Sequence, residues 1–430
     1  MNILILCNKS PFPPGEGGPM AINSIVTGLI EAGHQVKVMA FNSEKYHVDL
    51  KDIPAEYKRK TRIEFIDVNL RINKIKAFKN LFTDESYHVQ RFISRTFEKR
   101  LVKVLEEEEF DIVQLEMIYM APYIETIRTH SNAKIVLRTH NVEHQIWERM
   151  AEKEIFLLKR FYLTHLARTL KKYELGVIDK VDGIAAITYT DAAFFRGITA
   201  TPVIDIPYGI DLNKFMPKYE TNKKPTFYHI GSMNWRPNEE AMKWFLTEIW
   251  DEINERVPNA RLYLAGRNMP KWLRKLKKKG VSVVGEVPDA QEFVKQHDVA
   301  VVPLLSGSGI RIKIIESMAL GKAVITTIVG AEGIQYTEYE DIIIAENVPK
   351  MVEAVCMLYN HPEEAELIGR KARKLVEELY DNKKIINRLQ IFYDEIISKK
   401  VITELKNVEE NAVVKGETTD RDGSPETDLK

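Results

Sequence analysis

Three scarcities narrow the field before any motif is considered. Only two cysteines, Cys7 and Cys356, occur in 430 residues, too few for a disulfide framework or a multi-cysteine zinc site. Charge of one sign is not in excess: 62 Lys and Arg stand against 62 Asp and Glu, so no global field draws the chain to nucleic acid. Long hydrophobic runs are missing as well. Residues 3–7 and 299–305 are among the longest, far short of the roughly 20 needed to span a bilayer. The first residues have neither the basic start nor the apolar length of a signal peptide. There is no P-loop, no Gly-x-Ser-x-Gly elbow and no cluster with metal-ligand spacing; an Asp-x-Asp occurs only at Asp420 and Asp422, in a polar tail. The expectation is a soluble, cytoplasmic protein that needs neither metal nor cofactor and does not bind nucleic acid.

What the chain does have is 44% hydrophobic residues arranged as short apolar runs alternating with helical periodicity. At about 150 residues per domain, the length suggests two to three domains. In the first half the strand-like runs are 2–7, 35–41, 62–68, 111–116, 134–139, 183–188 and 202–207. Ile22, Ile25, Val26, Leu29 and Ile30 mark one helix face, and Phe92, Ile93, Phe97, Leu101, Val104 and Leu105 another. Short buried strands separated by helices predict parallel βαβ units. The pattern restarts after 207–209, with runs at 225–231, 260–266, 281–285, 298–303, 322–327 and 341–345. The expected architecture is α/β, with two Rossmann-like doubly wound domains facing a cleft. The first domain takes 1–205 and the second 206–382; an amphipathic helix at 383–400 returns to the first. The polar stretch 401–430 is predicted to be disordered.

The most informative segment is 304–327, LLSGSGIRIKIIESMALGKAVITT. A buried strand ends at Pro303, and a Gly/Ser loop leads into a helix whose expected N-cap is Ser308 and whose C′ residue is Gly321. A helix that starts where a parallel strand ends lies on the ligand side of an open α/β sheet. Its free amides favour an anion. Arg311 and Lys313 fall in the first turn, where cations oppose the helix dipole; a bound diphosphate resolves that conflict. Glu316 lies seven residues past Gly309, about 10 Å along a helix axis, far enough to meet a ribose. The alternative is an exposed, salt-bridged helix with a flexible entry loop.

This segment resembles the donor-binding segment of family-4 retaining glycosyltransferases of the GT-B fold, whose pattern is Glu-x7-Glu before a small-residue helix, Gly-Lys/Pro and a buried strand. Glu316 matches the second glutamate, which in that family binds the ribose hydroxyls; Ser308 stands where the first would be. Residues 7–41 are similar to the family's N-terminal strand, glycine loop and helix, with Gly17 and Gly18 at the glycines that approach the donor phosphate. His140, in RTHNVEH (138–144), resembles the family's histidine near the donor sugar. PYGID (207–211) resembles the hinge before the second domain. In 231–250, where many relatives carry Arg and Lys for the diphosphate, this chain has Ser232 and Pro237. Arg311 and Lys313 are therefore expected to supply the phosphate charge.

The resemblance implies a retaining, metal-independent hexosyltransferase that uses a nucleotide-diphospho-sugar such as a UDP- or GDP-linked hexose. Its acceptor would be a glycan or lipid-linked glycan of a bacterial surface polysaccharide. The expected catalytic groups are His140, Arg311 and Lys313, and the donor-binding groups Gly17, Gly18, Ser308, Gly309, Ile310 and Glu316. The alternatives are a nucleotide-sugar epimerase on the same fold and a catalytically silent paralogue that only binds. Two basic stretches remain. Residues 69–82 carry Ile72, Ile75, Phe78 and Phe82 on one side among four cations, and are expected either to face the core or to lie on an anionic membrane surface. Residues 271–280 fit a solvated helix face.

Overall fold

The computed structural model describes residues 1–219, 222–307 and 309–398. Ser308 and the stretch 401–430 therefore lie outside the described residues. Among the described residues, thirteen strands form two all-parallel sheets. The first contains β1 (Asn2–Cys7), β2 (Gln35–Ser43), β3 (Glu64–Val68), β4 (Ile112–Glu116), β5 (Lys134–Thr139), β6 (Gly183–Ala186) and β7 (Val203–Asp205), in the order β3-β2-β1-β4-β5-β6-β7. The second contains β8 (Thr226–Ile230), β9 (Arg261–Ala265), β10 (Val281–Gly285), β11 (Val299–Val302), β12 (Ala323–Thr326) and β13 (Ile343–Ile344), in the order β10-β9-β8-β11-β12-β13. Every strand but β2, which runs on from 35–41 to Ser43, falls inside an apolar run of the sequence, because strands covered by helices on both faces are largely apolar. The fully buried patterns of β4, β6, β11 and β12 show this.

Both sheets reverse their strand order once: between β1 and β4 in the first, between β8 and β11 in the second. Ligands of open α/β sheets bind outside the strand ends at such a reversal. The loops after β1, β8 and β11 lie at these reversals, and the loop after β5, the strand next to β4, joins them in the candidate site.

Two passages of chain join the sheets, side by side. Ile210 bridges Asp381; its N–H donates to Tyr380 O at 2.8 Å, and its carbonyl accepts from Asn382 N at 3.0 Å. Ser24 donates to both Gly209 O (2.7 Å) and Asn382 Oδ1 (2.8 Å). Residues 382–398 are helical and return to the first sheet. Ile385, Ile386, Leu389, Phe392, Tyr393 and Ile396 are buried in one cluster with residues of β1, β2 and helix Gly17–Glu31.

Three expectations are corrected. The helix before β4 is Arg95–Glu107 and keeps Phe97, Leu101, Val104 and Leu105 buried, but Phe92 and Ile93 precede it and Ile93 is exposed. The Ser94 side chain accepts from Phe97 N and starts the helix after them. The basic stretch 271–280 is helical only over Lys271–Arg274. In 69–82, helix Lys74–Asn80 turns Ala77 and Asn80 inward, while Ile72, Ile75, Phe78 and Phe82 face solvent; the core-facing alternative is wrong.

Candidate active site in the cleft

The site assembles from two helix N-termini. Helix Gly17–Glu31 begins with Gly17 and Gly18 and has no side-chain cap on its amides. Helix Ile312–Ala319 begins after Arg311, again without a side-chain cap. The two ends adjoin: a Cβ placed on Gly17 would lie 3.8 Å from Ile312 Cδ1. The expected N-cap at position 308 is not the start of the helix, because Gly307 (φ +122°) and Gly309 (φ +78°) hold the loop out of helical geometry. That backbone requires glycine at 309. It also brings the loop against Asn141 of the first unit, whose Oδ1 lies 3.1 Å from where a Cβ would stand. Ile310, half-buried, packs on the second core.

On the first unit, His140 directly follows β5. Its Nε2 donates to Glu116 Oε2 at 2.7 Å, with Arg138 Nη1 3.1 Å from the same nitrogen. Glu116 and Arg138 are fully buried and pair at 3.2 Å. They meet because β4 and β5 place them opposite each other in register. Burial alone would raise the Glu116 carboxyl, but Arg138 and His140 hold it below the usual range. Burial lowers His140, against the pull of Glu116, which favours the neutral imidazole. With Nε2–H committed to Glu116, Nδ1 remains as an acceptor. Gln114 donates to Glu116 Oε1 at 2.5 Å and Tyr393 donates to Gln114, tying the cluster to the returning helix.

The second unit differs in kind. Lys313 Nζ donates to Asn238 Oδ1 at 2.7 Å and to His229 Nε2 at 3.4 Å. His229 Nδ1–H donates to Val301 O at 2.8 Å, which leaves Nε2 as the acceptor facing the ammonium. Burial, and then Arg311, pulls Lys313 down to about 7. The ammonium lies at the end of β8: a Cβ on Gly231 would come within 2.6 Å of it. Arg311 is buried at the helix start rather than inside its first turn. It donates to Gly309 O and to Val329 O (3.3 Å), lies 3.7 Å from Glu332, and sits over the Trp235 ring. Burial lowers Arg311 to about 10, against the pull of Glu332. Glu316, half-buried on the helix, has no ion-pair partner among the described residues, and burial pushes its carboxyl up to about 7. It faces Tyr208 of the hinge segment closely enough to perturb it.

Of the expected site residues, the structure brings Gly17 to the start of helix Ile312–Ala319 and His140 to Gly309; Ile310, Arg311, Lys313 and Glu316 follow on that loop and helix, and Ser308 is outside the described residues. Contacts across the cleft hold its walls together. Arg149 donates to Glu332 at 2.7 Å, and Arg267 to Gly15 O at 3.0 Å. The sequence reading did not single out Glu116, Arg138, His229, Asn238 or Glu332. Among the described residues no group of three or more His, Cys, Asp or Glu is placed to hold a metal ion.

This is a GT-B fold, and residues 224–361 match the family described as Glycosyl transferases group 1. The matched stretch includes β8–β13 and helix Ile312–Ala319. Over 399 residues it is 19% identical to an uncharacterized 44.6 kDa protein in the cps region of Klebsiella pneumoniae, covering 90% of this chain and 98% of that protein. It resembles the solved sucrose-phosphate synthase from Thermosynechococcus elongatus at 16% identity and TM-score 0.63, over 93% of this chain and all of that one. It resembles HepE of Anabaena in complex with UDP and glucose at 10% identity and TM-score 0.60, over 91% and 99%. An S. aureus TarM mutant in complex with Fondaparinux, alpha-GlcNAc-glycerol and UDP matches at 12% identity and TM-score 0.63, over 91% and 100%.

Proposed function

We propose that this glycosyltransferase moves a hexosyl unit from a nucleotide-diphospho-sugar to a glycan or lipid-linked glycan, with retention of anomeric configuration and without a metal ion. The observation that carries the reading is the meeting of two uncapped helix N-termini, Gly17–Glu31 and Ile312–Ala319, across the cleft. Converging amides and dipoles form a site for a polyanion. Residues 1–205 take the acceptor side and 206–382 the donor side, and the reaction belongs to the cytoplasm.

Breaking the anomeric bond puts negative charge on the leaving diphosphate and oxocarbenium character on the sugar. Donors already aimed at that charge stabilise the transition state without reorganising. Gly17 and Gly18 amides close over the diphosphate from one wall; the Ile312 helix start with Lys313 meets it from the other. Lys313 reaches the end of β8, beside Ser232 and Pro237, where relatives place their cations. Arg311 adds charge from behind the loop that it braces. Glu316 accepts from the ribose hydroxyls, and His140 Nδ1 from a hydroxyl of the sugar. Ser308 offers no carboxylate nucleophile, so the acceptor attacks on the leaving-group face. UDP in the HepE and TarM complexes and the cps-region relative support a nucleotide-sugar donor and a glycan acceptor.

A thermal-shift panel of UDP, GDP and their common sugars tests the donor: the cognate nucleotide raises the melting temperature by mass action. Turnover with that donor is then followed with and without EDTA, and it should not change. Loss restored by Mn²⁺ or Mg²⁺ refutes the metal-free mechanism. An isomerised nucleotide sugar formed without acceptor identifies an epimerase instead. Intact donor with every acceptor identifies a silent binding protein.

A further inference from the structure

The exposed large apolar side chains are concentrated on one face of the first unit. Ile72, Ile75, Phe78 and Phe82, on and beside helix Lys74–Asn80, are 63–79% exposed. Ile155, Phe156, Leu157, Leu158 and Phe161, at the start of helix Leu157–Val177, are 68–89% exposed. The two stretches are neighbours. Ala77 is buried in a cluster with Ala151, Leu163 and Leu166; His165 Nε2 donates to Asn80 O at 3.0 Å, and Lys172 to Asp84 at 2.8 Å. These pairings run in the same direction, so the starts of the two helices point to the same end. Helix Lys74–Asn80 is inverted relative to a core helix: alanine and asparagine face the protein, phenylalanine and isoleucine face water. Clustered exposure of this kind marks an interaction surface rather than ordinary scatter.

Charge selects the occupant. Residues 71–82 and 155–161 contain six basic side chains, Arg71, Lys74, Lys76, Lys79, Lys159 and Arg160, and no acidic one; Arg71 pairs with Glu44 and Lys159 with Glu154, which leaves Lys74, Lys76, Lys79 and Arg160 as the face's uncompensated charge. A second copy docked face to face would set like charges against each other. We propose that this face docks on the surface of an anionic lipid bilayer. The apolar side chains enter the headgroup–acyl boundary, about 5–10 Å deep, and the lysines and arginines remain at headgroup level beside the lipid phosphates. No helix among the described residues is long and apolar enough to cross a membrane, so the attachment lies in the surface. Helix Glu143–Glu152 links this face to the site: it begins three residues after His140 and ends three before Ile155. Ten residues of helix cover about 15 Å, a distance suited to an acceptor carried on a lipid. The docking itself does not depend on the transfer reaction.

The test is co-sedimentation of the full chain with phosphatidylcholine vesicles, with and without phosphatidylglycerol. Binding is expected only with phosphatidylglycerol and should weaken as salt rises. The double variant Phe156→Ser/Leu158→Ser, and separately Phe78→Ser/Phe82→Ser, should each lower partitioning at least about tenfold. Lys76→Gln and Lys79→Gln should lower it roughly fivefold each. All these side chains are exposed, so the melting temperature stays that of the parent. Absence of binding to the anionic vesicles overturns the proposal, as does equal binding by the variants. A dimer seen by light scattering and dissolved by the same variants would assign the face to a second copy instead.

Discussion

The two walls of the cleft handle buried charge in opposite ways. On the first, the charges of Glu116 and Arg138 pair and His140 joins them: carboxylate, guanidinium and imidazole lie within 3.2 Å in a register that the strands fix, although Arg138 Nε and Nη2 find no hydrogen-bond acceptor. On the second, Lys313 leans on two neutral acceptors, and Glu316 has no cation among the described residues. A buried cluster whose charges are paired carries its own counter-charge without ligand and acts as a rigid support. An unpaired one stores a desolvation cost that a ligand of opposite charge relieves. The first wall is therefore built to hold a shape, and the second to be completed by what binds.

That contrast can be broken most severely at Glu116. Glu116→Gln leaves the Arg138 guanidinium buried without its counter-charge, which costs about 3–5 kcal/mol. Chemical denaturation should show the loss in the free protein. An unchanged stability would mean that the first wall is no more self-sufficient than the second.

Glu316→Ala should do the reverse. It leaves the fold intact and removes a charge-assisted contact to the ribose worth roughly 1.5–3 kcal/mol, about 10- to 150-fold in nucleotide affinity. Calorimetric titration with the cognate nucleotide decides; undiminished affinity in a folded variant would put the ribose elsewhere.

Arg311 and Lys313 sharpen the comparison within one wall. Arg311→Gln loses contacts to the Gly309 and Val329 carbonyls, and the free protein should lose about 1–3 kcal/mol. Lys313→Gln should leave the free protein equally or more stable. The Lys313 pKa falls from 10.5 to about 7, so its destabilisation is full below pH 7 and fades as pH rises toward 10.5. Both variants should weaken diphosphate binding. Melting curves with and without nucleotide separate brace from ligand.

Next in size is a pH dependence. A diphosphate favours charged Lys313, so affinity falls above about pH 7; ribose donors favour ionised Glu316, so affinity falls below it. Each limb approaches tenfold per pH unit. The nucleotide-diphospho-sugar, whose phosphates do not titrate there, should bind best near 7. Lys313→Gln should flatten the alkaline limb and Glu316→Gln the acidic one. Smallest of all, Arg149→Ala should cost no more than about 1 kcal/mol of stability, because its pair with Glu332 is half exposed.

How much of this is legible in the sequence depends on the kind of signal. Parallel strands buried on both faces read as apolar runs, so ILILC and VAVV announce β1 and β11 directly. The Gly-x-Gly loop before Arg311 announces a strand-to-helix turn, but not that positive φ at Gly307 and Gly309 would delay the helix to Ile312. The charges at 311, 313 and 316 are visible as charges; their partners come from Asn238, His229 and Val329, brought near only by the sheet. Glu116 and Arg138 did leave a trace. Each falls inside an apolar-rich run, and a charged residue at a buried strand position calls for a partner across the ladder. The amphipathic pattern of 69–82 showed two faces without showing which one the protein would cover; Ala77 decided that by its fit against Leu163 and Leu166.

The return of residues 382–398 to the first sheet bears on how the molecule comes into being. Domains ordinarily fold in the order in which they leave the ribosome. Here Ile385, Ile386, Leu389, Phe392, Tyr393 and Ile396 complete a core whose other members include Ile3, Ile5, Ile22 and Val38. The unit made first thus keeps an uncovered apolar flank through the whole synthesis of the unit made second. Its closure is among the last events of assembly.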